Sequence, residues 1–482
     1  MLEFIFSAEK RPAKMLKILL LNPFKQFPSE RIGKYLNESE IAALETAMEE
    51  VNFSAEKGQK MWFYAGAQPL LLAGIGTGED LCGLRALGAD LYHEAKKFCE
   101  AEVVLGALKG TKPEKLAIEL AAGMEKAAYR FDKYLTRQKP EDLPRLEAVY
   151  FSQKQPKSWP QEQALFNAVR YARDLGNEAP NFLTPYELAM DIKRLEYLGL
   201  KVELFDAAYI KQHQMGLIEA VARGSANPPY VAVMKWSGRP QDKNWDLGLV
   251  GKGVTYDAGG ISLKTDEQQP GEKHDMAGAG SIIAAMKACA LQKLPLNVIA
   301  VLPLVENMSA GNAYKPDDVL TSLSGQTVEV VDTDGEGRLI LADALWWCQK
   351  EFKVRVLVDM ARLTGSTEYI FGGHFAAVLG NDALLMQQIK QAADLSGERV
   401  WELPMAPEFD RQLKSEVADM KNVGKRMADS SQATAFLQRY IQKGVRWLHI
   451  DIAGCEVDAK KMATGYGVEL LNHLMKILSE KK

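Results

Sequence analysis

Acidic side chains carried in glycine-rich turns are the chemistry-bearing feature of this sequence. GKGVTYDAGGISLK, residues 251–264, follows the apolar run LGLVG and holds Lys252, Asp257 and Lys264. EKHDMAGAGS carries Glu272, and Asp275 opens a helix of small residues. VVDTDGEGRLILAD holds Asp332, Asp334 and Glu336 ahead of Arg338 and another helix. In each segment a strand ends, glycine lets the backbone approach closely, and an acid is presented. One acid in such a turn is ordinarily a turn former or a helix cap. Several at the strand ends of one sheet would repel one another unless cations neutralised them. Asp257, Asp275, Asp334 and Glu336 carry four negative charges, which two divalent cations would balance. Hard oxygen ligands suit Zn, Mn or Mg.

Other readings of these segments compete. Lys252 and Lys264 could be counter-ions, a deprotonated nitrogen ligand, or a charged group that stabilises an oxyanion. Spacing does not choose among these. Asp332, Asp334, Glu336 and Gly337 mimic the opening of a calcium loop. That loop needs Glu at its twelfth position, where this chain has Asp343, and a helix before it, where TVEVV is strand-like. His274 adjoins Asp275, but neighbouring side chains at a helix start point to different sides, so it is a minor candidate. The other histidines read as core or surface.

The elements that must position these residues alternate along the chain. Strand-like runs are YVAVMKW, LGLVG, LNVIAVLPL, TVEVV, VRVLVDMA and WLHIDIAG, with helical runs such as SIIAAMKACALQ and RLILADALWWCQKEF between most of them. This predicts an α/β fold with a mainly parallel, helix-covered mixed sheet, and ligands outside the carboxyl ends of its strands. The first third is also α/β in pattern, with LKILLLN and LLLAGIG as buried strands and AIELAAGMEKAAYRF as a helix. The polar, Pro-containing segment 154–163 is the expected linker. The division is therefore an N-terminal α/β domain, 1–160, and a C-terminal catalytic domain, 161–482.

Composition sets the outer bounds. At 47% hydrophobic and 25% charged residues the chain can bury a core, which excludes intrinsic disorder. The net charge of −4 supplies no basic stripe, so nucleic acid is not an expected partner. No run reaches the ~18 apolar residues of a membrane helix, and MLEFIFSAEKRPAK has too short an apolar stretch for a signal segment. Five cysteines without a CxxC pair point to a reducing cytoplasm, with most thiols in the core.

At the acidic segments the chain resembles the leucyl aminopeptidase family, the cytosol aminopeptidases. The family's NTDAEGRL reads DTDGEGRL here, residues 332–339; GKGxTFDSGGxSxK reads GKGVTYDAGGISLK; xDMGGAA reads HDMAGAG. NEAPNFLTP, ARLTGS, ERVWELP, VADMKNVG, HIDIAG and ATGYGVELL match as well. The resemblance covers about residues 165–475 and is limited mainly to LLLAGIG in the first third. It implies a metal-dependent aminopeptidase acting on peptides with a free N-terminus, through a water shared by two metals. One metal would be held by Lys252, Asp257, Asp275 and Glu336, the other by Asp257, Asp334 and Glu336. Lys264 would stabilise the oxyanion. Arg338 would hold a bicarbonate ion acting as general base. The resemblance further implies a homo-hexamer.

The chain departs from the family pattern at several positions. Ala258 replaces Ser and Gly335 replaces Ala, both small changes of little expected effect. Asp332 replaces Asn, adding a carboxylate beside the metals and, as a hypothesis, altering metal affinity. Glu272 stands where Met is common and Arg362 where Thr is common, at positions where the family shapes its pocket for the first side chain. With Thr364 and Gly365 of ARLTGS, and with Asp332, they are the pocket candidates. Two charges there either pair with each other or shift preference away from leucine. Two alternatives to the plain peptidase remain: a different two-metal hydrolase, and a family member with an added DNA-binding, regulatory role.

Overall fold

The apolar run at residues 16–21 folds as a strand with a core on each face. The computed structural model describes residues 2–6, 15–24, 36–65, 68–76, 81–105, 112–425 and 427–480. Contacts divide the chain into two units, Met1–Phe166 and Asn167–Lys482. The first holds the strands β1 (Glu3–Phe6), β2 (Leu16–Leu21), β3 (Lys60–Ala65), β4 (Gln68–Gly74), β5 (Glu100–Val104) and β6 (Ala148–Phe151). They pair in the order β1-β6-β5-β2-β4-β3, parallel except for β3 against β4. Alternate side chains of a strand point to opposite faces. Leu16, Ile18 and Leu20 accordingly join Leu84 and Leu91 of the helix Leu81–Ala95, and Leu116 and Leu120 of the helix Pro113–Ala128. Leu19 and Leu21 join Leu44 and Met48 of the helix Glu38–Glu50.

Segment 154–163, expected as a linker, is irregular only as far as Ser158; from Trp159 it belongs to the helix Trp159–Asn177. Trp159 and Phe166 are buried in the first unit's core, and Phe4 and Phe6 pack edge-on against Trp159 at 5.6 and 4.7 Å. That aromatic anchor outweighs the polar composition around it.

The second unit contains β7 (Lys201–Phe205), β8 (Tyr230–Ser237), β9 (Leu247–Gly251), β10 (Gly253–Asp257), β11 (Asn297–Asn307), β12 (Val319–Thr321), β13 (Thr327–Glu329), β14 (Val356–Ala361), β15 (Ala376–Gly380), β16 (Val400–Glu402), β17 (Met420–Lys421) and β18 (Arg446–Asp451). The main sheet runs β16-β15-β18-β14-β9-β11-β8-β7, with β10 added beside β11. Its centre, β18-β14-β9-β11, is parallel; β15, β8 and β7 introduce the antiparallel pairs. Strands β12, β13 and β17 form a separate small sheet. Every residue of β11 is buried. Val298, Ala300, Leu302 and Leu304 face the core that contains the helix Ala277–Gln292, while Ile299, Val301 and Val305 face the core of the helix Glu336–Phe352. A continuous apolar strand is what a sheet covered on both faces requires. The α/β, mainly parallel fold is as the alternation of elements predicts.

This topology gathers the acidic segments. Strand β9 ends before Lys252, β10 ends on Asp257, β14 ends before Arg362, and β18 ends on Asp451. Asp275 lies in a short turn, Glu272–Met276, that opens the helix Ala277–Gln292. Asp334 lies in the turn Thr333–Gly335 that opens the helix Glu336–Phe352.

Candidate active site

Asp257, Asp334 and Glu336 bring ligand oxygens within 4.8 Å of one another. The turn after β10 explains how Asp257 is aimed. Its Oδ1 accepts from the backbone N of Gly259 at 2.9 Å and from Asn307 Nδ2 at 2.8 Å. Gly260 sits at φ +68°, and a Cβ there would lie 2.8 Å from Asn307 Oδ1, so only glycine fits the turn. Lys252 Nζ lies 2.8 Å from both Asp275 and Glu336 and donates to the carbonyl of Arg362 at 3.0 Å. Lys264 Nζ bridges Asp257 and Asp334 and lies 3.6 Å from Glu272. The six residues that the resemblance places at the metals and the oxyanion are therefore in one contact network, with Arg338 outside it.

The electrostatics register the crowding. Two ammonium groups face the four carboxylates of Asp257, Asp275, Asp334 and Glu336. Burial, together with the charge of Asp257, pushes Asp334 up to about 7 and Glu336 up to about 8. Burial likewise raises Asp275. Burial opposes ionisation of Asp257 too, but Lys264 and Lys252 outweigh it and hold that carboxyl low. Both lysines would lose protons to burial, yet the surrounding acids keep them above the usual lysine range. Glu336 is buried; its Oε1 meets only the Lys252 ammonium and its Oε2 accepts no hydrogen bond. An oxygen-rich donor set with excess negative charge and bare buried acceptors fits divalent cations.

The pocket candidates separate. Arg362 meets Glu272 through two bonds, from Nη1 at 2.8 Å and from Nη2 at 2.9 Å. It also reaches Glu456 at 3.0 Å and Asp275 at 3.3 Å. Thr364 is buried, its hydroxyl donating to Asp451 at 2.6 Å, and Gly365 begins the helix Gly365–Phe371. Asp332 caps the turn before Glu336, accepting from the backbone N of Asp334 at 2.9 Å. His274 is buried with Nδ1 unbonded, and burial pushes it down to about 4. Asp343, the position a calcium loop would need, lies buried elsewhere, accepting backbone N–H groups from Leu217, Ile218 and Leu323. Arg338 is buried and donates to the carbonyl of Asn422 at 3.1 Å and to Asp429 at 2.9 Å.

Four residues escaped the sequence reading. Asn307 holds Asp257 and also donates to the carbonyl of Thr333. Tyr314 donates to the same carbonyl at 2.6 Å. Glu456 and Asp429 are the third and fourth. Asn307 alone had a signal: it is a polar residue closing a strand whose residues 298–305 are all apolar.

Residues 170–472 match the sequence model of the cytosol aminopeptidase family, catalytic domain. The chain belongs to that family. A probable cytosol aminopeptidase of Rhodopseudomonas palustris (strain BisA53) is 37% identical to it over 459 residues, 92% of either chain. One from Caulobacter vibrioides is 38% identical over 456 residues, 91% of this chain and 92% of the other. Among solved structures, the bottromycin maturation enzyme BotP in complex with Mn superposes with a TM-score of 0.85 at 29% identity, covering 96% of this chain and 99% of BotP. A mutant of tomato leucine aminopeptidase gives 0.87 at 26% identity, covering 98% and 96%. The chain is a metal-dependent aminopeptidase, a hydrolase acting on peptides. These matches lend no support to a different two-metal hydrolase or to an added nucleic-acid role. No helix among the described residues is long and apolar enough to cross a membrane.

Proposed function

We propose that this aminopeptidase binds two divalent cations, Mn or Zn, with Mg as a weaker fit, and releases the first residue of peptides with a free N-terminus. The observation that carries the reading is the convergence of Asp257, Asp334 and Glu336 within 4.8 Å. Lys252, Asp257, Asp275 and Glu336 would hold one ion, and Asp257, Asp334 and Glu336 the other. Bound ions supply Lewis acidity and a water of lowered pKa. The solved complex of BotP with Mn supports manganese.

The chain's own groups divide the remaining work. Lys264, held between Asp257 and Asp334, stands ready to stabilise negative charge on the scissile carbonyl oxygen. Without ions, the two ammonium groups partly neutralise the acids. Ions would displace that role and free Lys264 to turn toward substrate. Arg338 anchors the anion that takes the proton: bicarbonate by the resemblance, a carboxylate of this chain by the inference below. Glu272 and Arg362 shape the subsite for the first side chain, away from a purely apolar preference. The working form is a cytoplasmic homo-hexamer.

The test is hydrolysis of aminoacyl amides by metal-stripped enzyme before and after adding Mn or Zn. Activity should return with metal in the wild type and not in Asp334→Asn or Glu336→Gln. If no amide is cleaved with either metal, the reading fails. Sedimentation at about six times the 53.5 kDa chain mass would support the hexamer.

A further inference from the structure

We infer that Asp429 supplies, from within the chain, the proton-accepting anion that the family resemblance assigns to a bicarbonate ion on Arg338. The inference rests on the aminopeptidase reading and deepens it.

The guanidinium of Arg338 is already engaged. Nη1 donates to the carbonyl of Asn422 at 3.1 Å and Nη2 to Asp429 Oδ1 at 2.9 Å, while Nε is enclosed without a partner. The Arg338 side chain is 4% exposed, whereas that of Asp429 is 31% exposed. The cation is thus buried behind the acid, and the acid is what solvent meets. A bicarbonate on Arg338 would have to displace Asp429 or lie against it, one negative charge beside another. The residues present therefore do not fit bicarbonate as the resident anion.

Asp429 is also held firmly in place. It is the first residue of the helix Asp429–Gln438, where a carboxylate is favoured by the helix dipole. The next residue, Ser430, is fixed by Thr364 at 2.7 Å, Ser366 at 2.6 Å and Thr367 at 2.9 Å, with both threonines anchored on Asp451. That hydroxyl cluster belongs to the segment 362–367, whose first carbonyl receives Lys252. On the other side, Arg338 is two residues along its helix from Glu336. Asp429 is therefore fixed between two elements that carry the cluster's partners: the segment 362–367, through its neighbour Ser430, and the helix of Glu336, through Arg338.

The proton balance is simple. As the attacking water's oxygen bonds to the carbonyl carbon, one of its protons passes to Asp429. The C–N bond breaks, and that proton moves to the departing nitrogen, which regenerates the carboxylate. Arg338 orients Asp429 through the bond from Nη2, as a positioning residue. Such a proton transfer contributes typically ~10²–10⁴-fold.

The experiment uses the Mn-loaded full chain and an aminoacyl amide in CO2-depleted buffer, with and without added bicarbonate. Wild type should be indifferent to bicarbonate. Asp429→Asn keeps a bond to Arg338 but cannot take the proton; its kcat should fall ~10²-fold or more with KM little changed, and bicarbonate should not help. Asp429→Ala opens the space on Arg338, so its kcat should fall similarly and recover in part with bicarbonate. Metal content and far-ultraviolet circular dichroism confirm that both variants are folded and loaded. A wild type that slows when CO2 is removed and recovers with bicarbonate would overturn the inference. So would an Asp429→Asn enzyme that keeps full kcat without bicarbonate. A wild type with no metal-dependent hydrolysis would instead overturn the aminopeptidase reading, and the inference with it.

Discussion

Both carboxylate oxygens of Glu272 grip the guanidinium of Arg362, at 2.8 and 2.9 Å, and the two residues lie 90 positions apart in sequence. Each is a departure from the family pattern on its own; together they compensate. Glu456 completes the arrangement at 3.0 Å. Breaking a buried pair by removing one partner costs about 3–5 kcal/mol, because the other charge is left uncompensated. Arg362→Thr and Glu272→Met should each destabilise the enzyme in urea by a few kcal/mol. The double variant should cost well under the sum.

The same network predicts substrate preference. A leucine side chain entering this subsite must desolvate a charged cluster without offering it a partner. Adding Glu456→Met to the double variant should raise kcat/KM for leucyl amide about 10-fold or more relative to alanyl amide. An unchanged ratio of the two would show that Arg362 does not border the first side chain.

Asp332 supports a different expectation from its neighbours. Its carboxylate accepts from the backbone of Asp334 as a cap, a role Asn fills about equally well. Asp332→Asn should therefore retain stability within about 0.5 kcal/mol. As the fifth acid near the site, Asp332 was the candidate for changing metal affinity. With its side chain committed to the cap, Mn dissociation constants should shift by less than about 3-fold. A larger change measured by isothermal titration would restore the hypothesis that it tunes the metals.

The parts of this site written as local motifs were legible in the sequence. Asp257, Asp334 and Glu336 sit in turns whose glycines and flanking apolar runs announce a strand end and a helix start. The β11 run declared a doubly covered strand through eight consecutive apolar residues, 298–305. The partners that act across the fold were not legible. Glu456 meets Arg362 from 94 residues away, and Asp429 meets Arg338 from 91. No spacing rule connects such residues; only the shared sheet end does. The second half of segment 154–163 misled for the opposite reason, since Gln161, Glu162 and Gln163 begin a helix whose Trp159 is buried.

Gly337 separates Glu336 from Arg338 and makes room for Lys252. A Cβ at this position would lie 2.6 Å from Lys252 Cε and 2.8 Å from its Nζ. The helix itself would accept alanine gladly, being favoured by about 1 kcal/mol over glycine. Gly337→Ala should thus leave the fold intact while pushing Lys252 off Asp275 and Glu336. Metal-restored activity should drop at least about 10-fold, in parallel with weaker Mn binding. Full activity in this variant would argue that Lys252 has no part in holding the ions.

Asp343 offers a pH test away from the metals. It is fully buried, and burial pushes it up to about 7 even though three backbone N–H groups favour its ionised form. The folded state thus keeps this proton to about pH 7, while the unfolded chain releases it near 3.8, the ordinary aspartate value. Between those values the folded state binds more protons, so stability falls as pH rises. A shift of roughly three units corresponds to about 4 kcal/mol at most. Asp343→Asn keeps an acceptor for the Leu217 and Ile218 N–H groups, loses the one facing Leu323, and cannot titrate, so the comparison is of slopes with pH. The wild type should therefore lose on the order of 2–4 kcal/mol relative to Asp343→Asn between pH 4 and pH 7. Denaturant titrations of both proteins across that range measure it. Parallel stability curves would mean that the three backbone donors keep Asp343 ionised in the folded chain throughout.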